Sequence, residues 1–269
     1  MLRNVFLKTL YDMRGSIIAW ALGLAFLAVL VVGLFHSVRR DKSLENLDAI
    51  VQHMAPGTRA IVAGENLPSV TSFEGFSRME FLSYLPLLLA IFTIVEGSGT
   101  IGLEEERRTI DLLMAQPIRR WRVVVEKSAA LVVATYAIAA SAGFGLVATT
   151  RLVSVETPWY RMMLATANAV PPALVVGALS MLGSCALRRR RNAIIAGSTF
   201  LVASYFLNVL GQIAEPIKPW RKLSIFCTYC ASLPLTGEMI TKNTVWLLAA
   251  TIILFAIAMF AFERKELAA

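Results

Sequence analysis

The sequence predicts an all-α, polytopic membrane protein with six transmembrane helices, and three observations predict it. Hydrophobic residues make up 57% of the 269 and charged residues only 16%, far from the balance of a soluble domain. The apolar residues fall in blocks of about 20 instead of amphipathic stripes, the length that crosses roughly 30 Å of hydrocarbon. The formal charge of +8 gathers at the edges of those blocks. No basic groove is interleaved with aromatics, so the charge reads as an orientation signal and nucleic acid is excluded as a partner.

Taken in order, Met1 to Arg14 places Leu2, Phe6, Leu10 and Met13 at spacings of four, four and three, with Arg3, Lys8 and Asp12 between them. That pattern predicts a short N-terminal amphipathic helix lying along the headgroups of membrane lipids. Residues 15–38 hold no Asp, Glu, Lys or Arg; a cleaved signal would have a shorter apolar core and a small-residue cleavage site, so this is a retained span. Residues 39–80 form a polar loop with turn formers at Pro56-Gly57, Gly64 and Pro68. Within it Leu44, Leu47, Ile50, Val51 and Met54 recur at helical spacing and predict one interfacial helix.

The second span, 81–101, contains Pro86, a kink signal, and Glu96. An ionised carboxylate near the bilayer centre costs about 2.5 to 3.5 kcal/mol, so Glu96 is expected to face protein, water or the interface. It is the candidate intramembrane polar site. Residues 128–150, 162–187, 193–214 and 244–262 are four further charge-free runs, which makes six crossings. Pro171 and Pro172 imply a kink in the fourth.

An even number of spans puts both termini on one side. The segments on that side, 1–14, 102–127, 188–192 and 263–269, carry 15 cations in 52 residues, against 11 in 82 on the other. The positive-inside bias makes the terminal side cytoplasmic. Small residues at four-residue spacing, Ala137, Ser141, Gly145 and Thr149 in the third span and Ala173 and Gly177 in the fourth, allow close helix approach, within one subunit or between two.

Residues 97–102 read GxGxxG literally, but that fingerprint requires a strand before it and a Rossmann helix after it. At the end of a membrane helix it marks a flexible or tightly packed exit. Cys227 and Cys230 cannot close a zinc site alone. No Walker A pattern is present, and the spans offer no paired carboxylates, Ser with His, or metal-ligand cluster. The chain is therefore expected to be non-catalytic, without metal or cofactor.

The densest polar stretch is 102–127, GLEEERRTIDLLMAQPIRRWRVVVEK, hung between two spans. Glu104, Glu105 and Glu106 are expected in the first turn of a helix, at its positive dipole end. Ile110, Leu113 and Met114 share one face, bordered by Arg107 and Asp111, and Pro117 stops the helix. Arg119, Arg120 and Arg122 lead into the third span. Such a cytoplasmic helix suits docking into a groove of a soluble partner.

These residues resemble the signature of ABC-2-type transporter permeases, an acidic cluster followed by a Leu-Leu pair, a small residue, Pro, Arg and a final Lys. Glu104, Glu105, Thr109, Asp111, Leu112, Leu113, Ala115, Pro117, Arg119 and Lys127 match. Arg108 stands where the family more often has Gly. Phe73-Glu74-Gly75-Phe76 resembles the end of the family's outer loop. Tyr205 to Gly237, with Pro219, Leu223-Ser224 and Pro234-Leu235-Thr236-Gly237, looks like the fifth span and the short re-entrant outer helices before the sixth.

The resemblance implies a single ABC-2-type transmembrane domain over 1–269 in a bacterial or archaeal cytoplasmic membrane. It implies the permease subunit of an ATP-driven exporter that forms its path as a dimer, with a second copy or a paralogue. A separate ABC ATP-binding subunit would hold ATP and Mg. The coupling residues it implies are Glu104, Glu105, Glu106, Arg107, Thr109, Ile110, Asp111, Leu112, Leu113, Met114, Pro117, Arg119 and Arg120. The alternative reading of the chain is an ion-driven secondary transporter with Glu96 as its protonatable site.

Overall fold

Six helical stretches are long and apolar enough to cross a membrane: Val5–Phe35, Phe73–Glu106, Arg120–Thr150, Trp159–Ala186, Arg190–Ile213 and Asn243–Arg264. They come from a computed structural model that describes residues 4–40, 50, 53, 72–110, 119–153, 157–187, 189–229 and 242–265. No strand occurs among the described residues. The protein is an all-α, multi-pass membrane protein, as the apolar blocks require, because a helix satisfies its own backbone groups in lipid.

The first helix, α1 (Val5–Arg40), is one continuous element. The amphipathic stretch and the first span are thus parts of a single rod, with no boundary at Gly15. Nothing between residues 5 and 40 breaks a helix, and the N-terminal end is held laterally. The Phe6 N–H donates to Glu126 Oε2 at 3.0 Å, which sets a carboxylate at the positive end of the helix. Val5 and Met13 are buried. The interfacial helix expected within 44–54 lies outside the described residues except for Ile50 and His53.

The second span is irregular. A short helix α2 (Phe73–Ser77) runs through a π-helical turn, Arg78–Leu82, into α3 (Leu85–Glu106). Pro86 sits in the first turn of α3, where its missing N–H would have no intrahelical partner. It stands just after the irregular turn at Ser83–Tyr84. Phe35 of α1 packs edge-on against Phe73 at 5.7 Å.

Next come α4 (Arg120–Val153), α5 (Trp159–Ala167) and α6 (Val170–Ala186). The fourth span is interrupted by a two-residue turn at Asn168–Ala169 between α5 and α6, and the proline pair stands in the first turn of α6, where its missing N–H groups are tolerated. After α7 (Arg190–Ile213) come a 3-10 segment, Glu215–Leu223, and the short α8 (Ile225–Thr228). These fall where short outer helices are expected. The last span is α9 (Lys242–Arg264).

The centre is α6, which packs against α3, α9 and α7. The most apolar stretch of the fourth span is 83% buried, against 22% for the first, fifth and sixth. Those outer helices instead expose Leu22 and Phe26, Val202 and Phe206, and Ile252 and Ile253, a display of apolar surface that lipid accommodates and water does not. Several of the small residues make close contacts within the chain. Ser141 Oγ donates to Ala21 O at 3.0 Å, and a Cβ on Gly145 would lie 2.7 Å from Ala25 O, so α4 meets α1 backbone to backbone. Thr93 Oγ1 donates to Ala173 O at 2.8 Å where α3 meets α6. Ala137, by contrast, is exposed.

Candidate functional site: the roots of the polar segment

Glu104, Glu105 and Glu106 form the last turn of α3, not the first turn of a new helix. The helix runs past the apolar block, so three carboxylates stand at the negative end of the dipole, where each is disfavoured. A cation from a different element offsets each one. Glu104 Oε1 lies 3.4 Å from Lys127 Nζ, Glu105 Oε1 lies 2.6 Å from Lys265 Nζ, and Glu106 Oε2 lies 3.8 Å from Arg190 Nη1. Arg190 is itself misplaced at the first residue of α7, so that last pair relieves two unfavourable dipole ends at once.

Lys127 is buried, and its ammonium also donates to Thr100 O. This joins the final Lys of the signature to its acidic cluster across the two roots of the segment. Nearby on α4, Arg122 and Glu126 pair at 2.7 Å, and Glu126 accepts from Phe6 N at the N-terminus of α1.

The chain leaves α3 through a Schellman turn. Arg108 N donates to Glu105 O at 3.1 Å and Thr109 N to Glu104 O at 2.9 Å, the paired bonds of that motif. It demands a left-handed residue at its centre, and Arg108 has φ 54. The glycine more usual at this place in the family would adopt that conformation freely. Arg108→Gly is accordingly expected to stabilise the fold by about 1 kcal/mol, read as a higher unfolding midpoint in detergent.

The structure brings Glu104, Glu105, Glu106, Arg107, Thr109, Ile110, Arg119 and Arg120 to this end of the bundle. Asp111, Leu112, Leu113, Met114 and Pro117 lie outside the described residues. Ile110, expected on the docking face, is buried in this chain and clusters with Val5, Ile101, Val123, Val124 and Phe262. Burying an isoleucine side chain is worth about 1.5 to 3 kcal/mol.

Beside the roots lies a polar cavity of about 160 Å³, lined by residues that include Lys8, Asp12, Glu96, Glu104, Arg107 and Arg190. Glu96 thus faces protein and the cavity, with the Ser16 side chain of α1 near its carboxylate. Two glycines of the GxGxxG stretch are close-packing positions within α3: a Cβ on Gly97 would meet Gly177 O at 2.6 Å, and one on Gly102 would meet Arg190 Cβ at 2.8 Å.

A family model described as the C-terminal domain of the multidrug efflux system permease Rv1217c matches residues 9–263. The chain belongs to this efflux permease family. No curated protein matches it. The match covers all six spans and the polar segment, in accord with the ABC-2 permease resemblance carried by that segment. Sequence reasoning about this permease missed Lys265 and Arg190, which complete the carboxylate pairs. Their only signal was a cation beside a span end, which orientation alone already explains.

Proposed function

We propose that the permease is the membrane-spanning subunit of an ATP-driven exporter, a single transmembrane domain that works as a pair of permease copies. It lies in a bacterial or archaeal cytoplasmic membrane with both termini and residues 102–127 on the cytoplasmic side. A separate ATP-binding subunit, which holds ATP and Mg, docks on that segment. The observation that carries this reading is the arrangement of its roots: α3 and α4, which flank it, are tied to each other, to α6 and to the end of α9 by charged side chains. A push on the segment therefore reaches the central span.

A second reading, ion-driven transport, is favoured by one observation, the half-buried Glu96 carboxylate beside the polar cavity. Ethidium efflux from cells expressing the permease with its ATPase separates the two. ATP depletion at maintained proton gradient is expected to stop efflux, and Glu96→Gln to leave it within about twofold. Efflux that survives depletion and collapses in Glu96→Gln would establish the ion-driven mechanism instead.

A further inference from the structure

Lys265, one residue beyond α9, places its ammonium among three acceptors drawn from two other helices. Nζ donates to Glu105 Oε1 at 2.6 Å, to Leu187 O at 2.9 Å and to Ser184 O at 3.3 Å. An ammonium has three N–H donors, and all three are used. The two carbonyls lie at the C-terminal end of α6, where the helix dipole favours a cation. The Lys265 carbonyl in turn accepts from Arg120 Nη1 at 3.2 Å, and Arg120 is the first residue of α4. One residue therefore touches the last turn of α3, the first turn of α4 and the end of α6.

The contact is enclosed: the Lys265 side chain is 9% exposed and that of Glu105 20%. Among the described residues Glu105 Oε2 is buried without a hydrogen-bond partner, and the cation that compensates the carboxylate there is Lys265. A second tie runs parallel to it, Ser184 Oγ accepting from Ile101 N at 3.1 Å and Gly102 N at 2.8 Å.

We infer that Lys265 is a positioning residue that clamps both roots of the 107–119 segment to the end of α6, so that roots and central span move as one body. For its use in coupling the clamp rests on the reading under Proposed function. A segment whose roots slipped against α6 would lose a partner's push locally, whereas clamped roots deliver it to the most buried span.

Hydrogen exchange of the full chain in lipid nanodiscs, with no partner present, tests the clamp separately from that reading. In Lys265→Met, exchange at 100–107 and at 184–190 is expected to rise together by about tenfold, the scale of losing a charged hydrogen bond, while the remaining spans stay unchanged. Glu105→Gln is expected to raise it at 100–107 alone, because Lys265 keeps the Ser184 and Leu187 carbonyls. Lys265→Arg, which retains charged donors, is expected to keep protection near the parental level. Unchanged exchange at both segments in Lys265→Met, or equal loss in Lys265→Arg, would overturn the clamp.

Discussion

Gly97→Val is expected to destabilise the permease by about 3 kcal/mol, the upper range for overpacking a close helix contact. The obstacle is backbone: an added Cβ at Gly97 meets Gly177 O at 2.6 Å, with Gly177 C and Met181 N next at 3.4 and 3.5 Å. No rotamer change removes a carbonyl, so α3 and α6 must separate. Separation also lengthens the Thr93 to Ala173 hydrogen bond, and a helix contact in lipid has little besides packing and such bonds to hold it. Gly99→Val is the control, since the nearest atoms to its Cβ belong to the flexible Arg190 guanidinium, at 3.6 Å or more, and it is expected to cost less than about 1 kcal/mol. Unfolding midpoints of the two variants in the same detergent decide the matter, and equal losses would show that helix propensity, not contact, sets the cost.

That glycine illustrates what the sequence discloses and what it withholds. GxGxxG at a membrane helix end is legible as tight packing, because a dinucleotide fold is ruled out by its surroundings. The partner, Gly177, is not legible, since no pattern in either span names the other. All six spans are legible from hydropathy, because lipid imposes one length and one composition on every crossing. The end of α3 is not: its apolar block stops at Ile101, yet the helix runs to Glu106, and hydropathy reports the edge of the lipid, not the end of a helix. The three glutamates were read at the wrong dipole end for that reason.

Pro171 and Pro172 announce a disturbance in the fourth span but not its form. A proline pair announces an irregularity without placing it, and the turn lies at 168–169, just before the prolines. The departure at Arg108 is legible as a position that prefers glycine, and the left-handed φ supplies the cause. Lys265 was invisible as anything but an orientation charge. Two of its acceptors are backbone carbonyls about 80 residues away in the chain, which no side-chain pattern encodes.

Leu113→Asp is expected to abolish stable association with the ATP-binding subunit proposed as partner. With Ile110 turned into the bundle, the apolar residues left for docking are those beyond it, Leu112, Leu113 and Met114. Losing one well-packed leucine contact and placing a carboxylate in a desolvated groove weakens binding by about 3 kcal/mol, a factor of roughly a hundred. Insertion is not expected to suffer, because the substitution lies outside all six spans. A monodisperse elution profile in detergent checks that the variant folds.

The most direct measurement is co-purification from native membranes with a tag on the permease. A nucleotide-hydrolysing subunit is expected to accompany the parental chain in near-stoichiometric amount and to be absent from monodisperse Leu113→Asp. Retention of that subunit by the variant at parental level, with full ATP hydrolysis, would contradict this expectation.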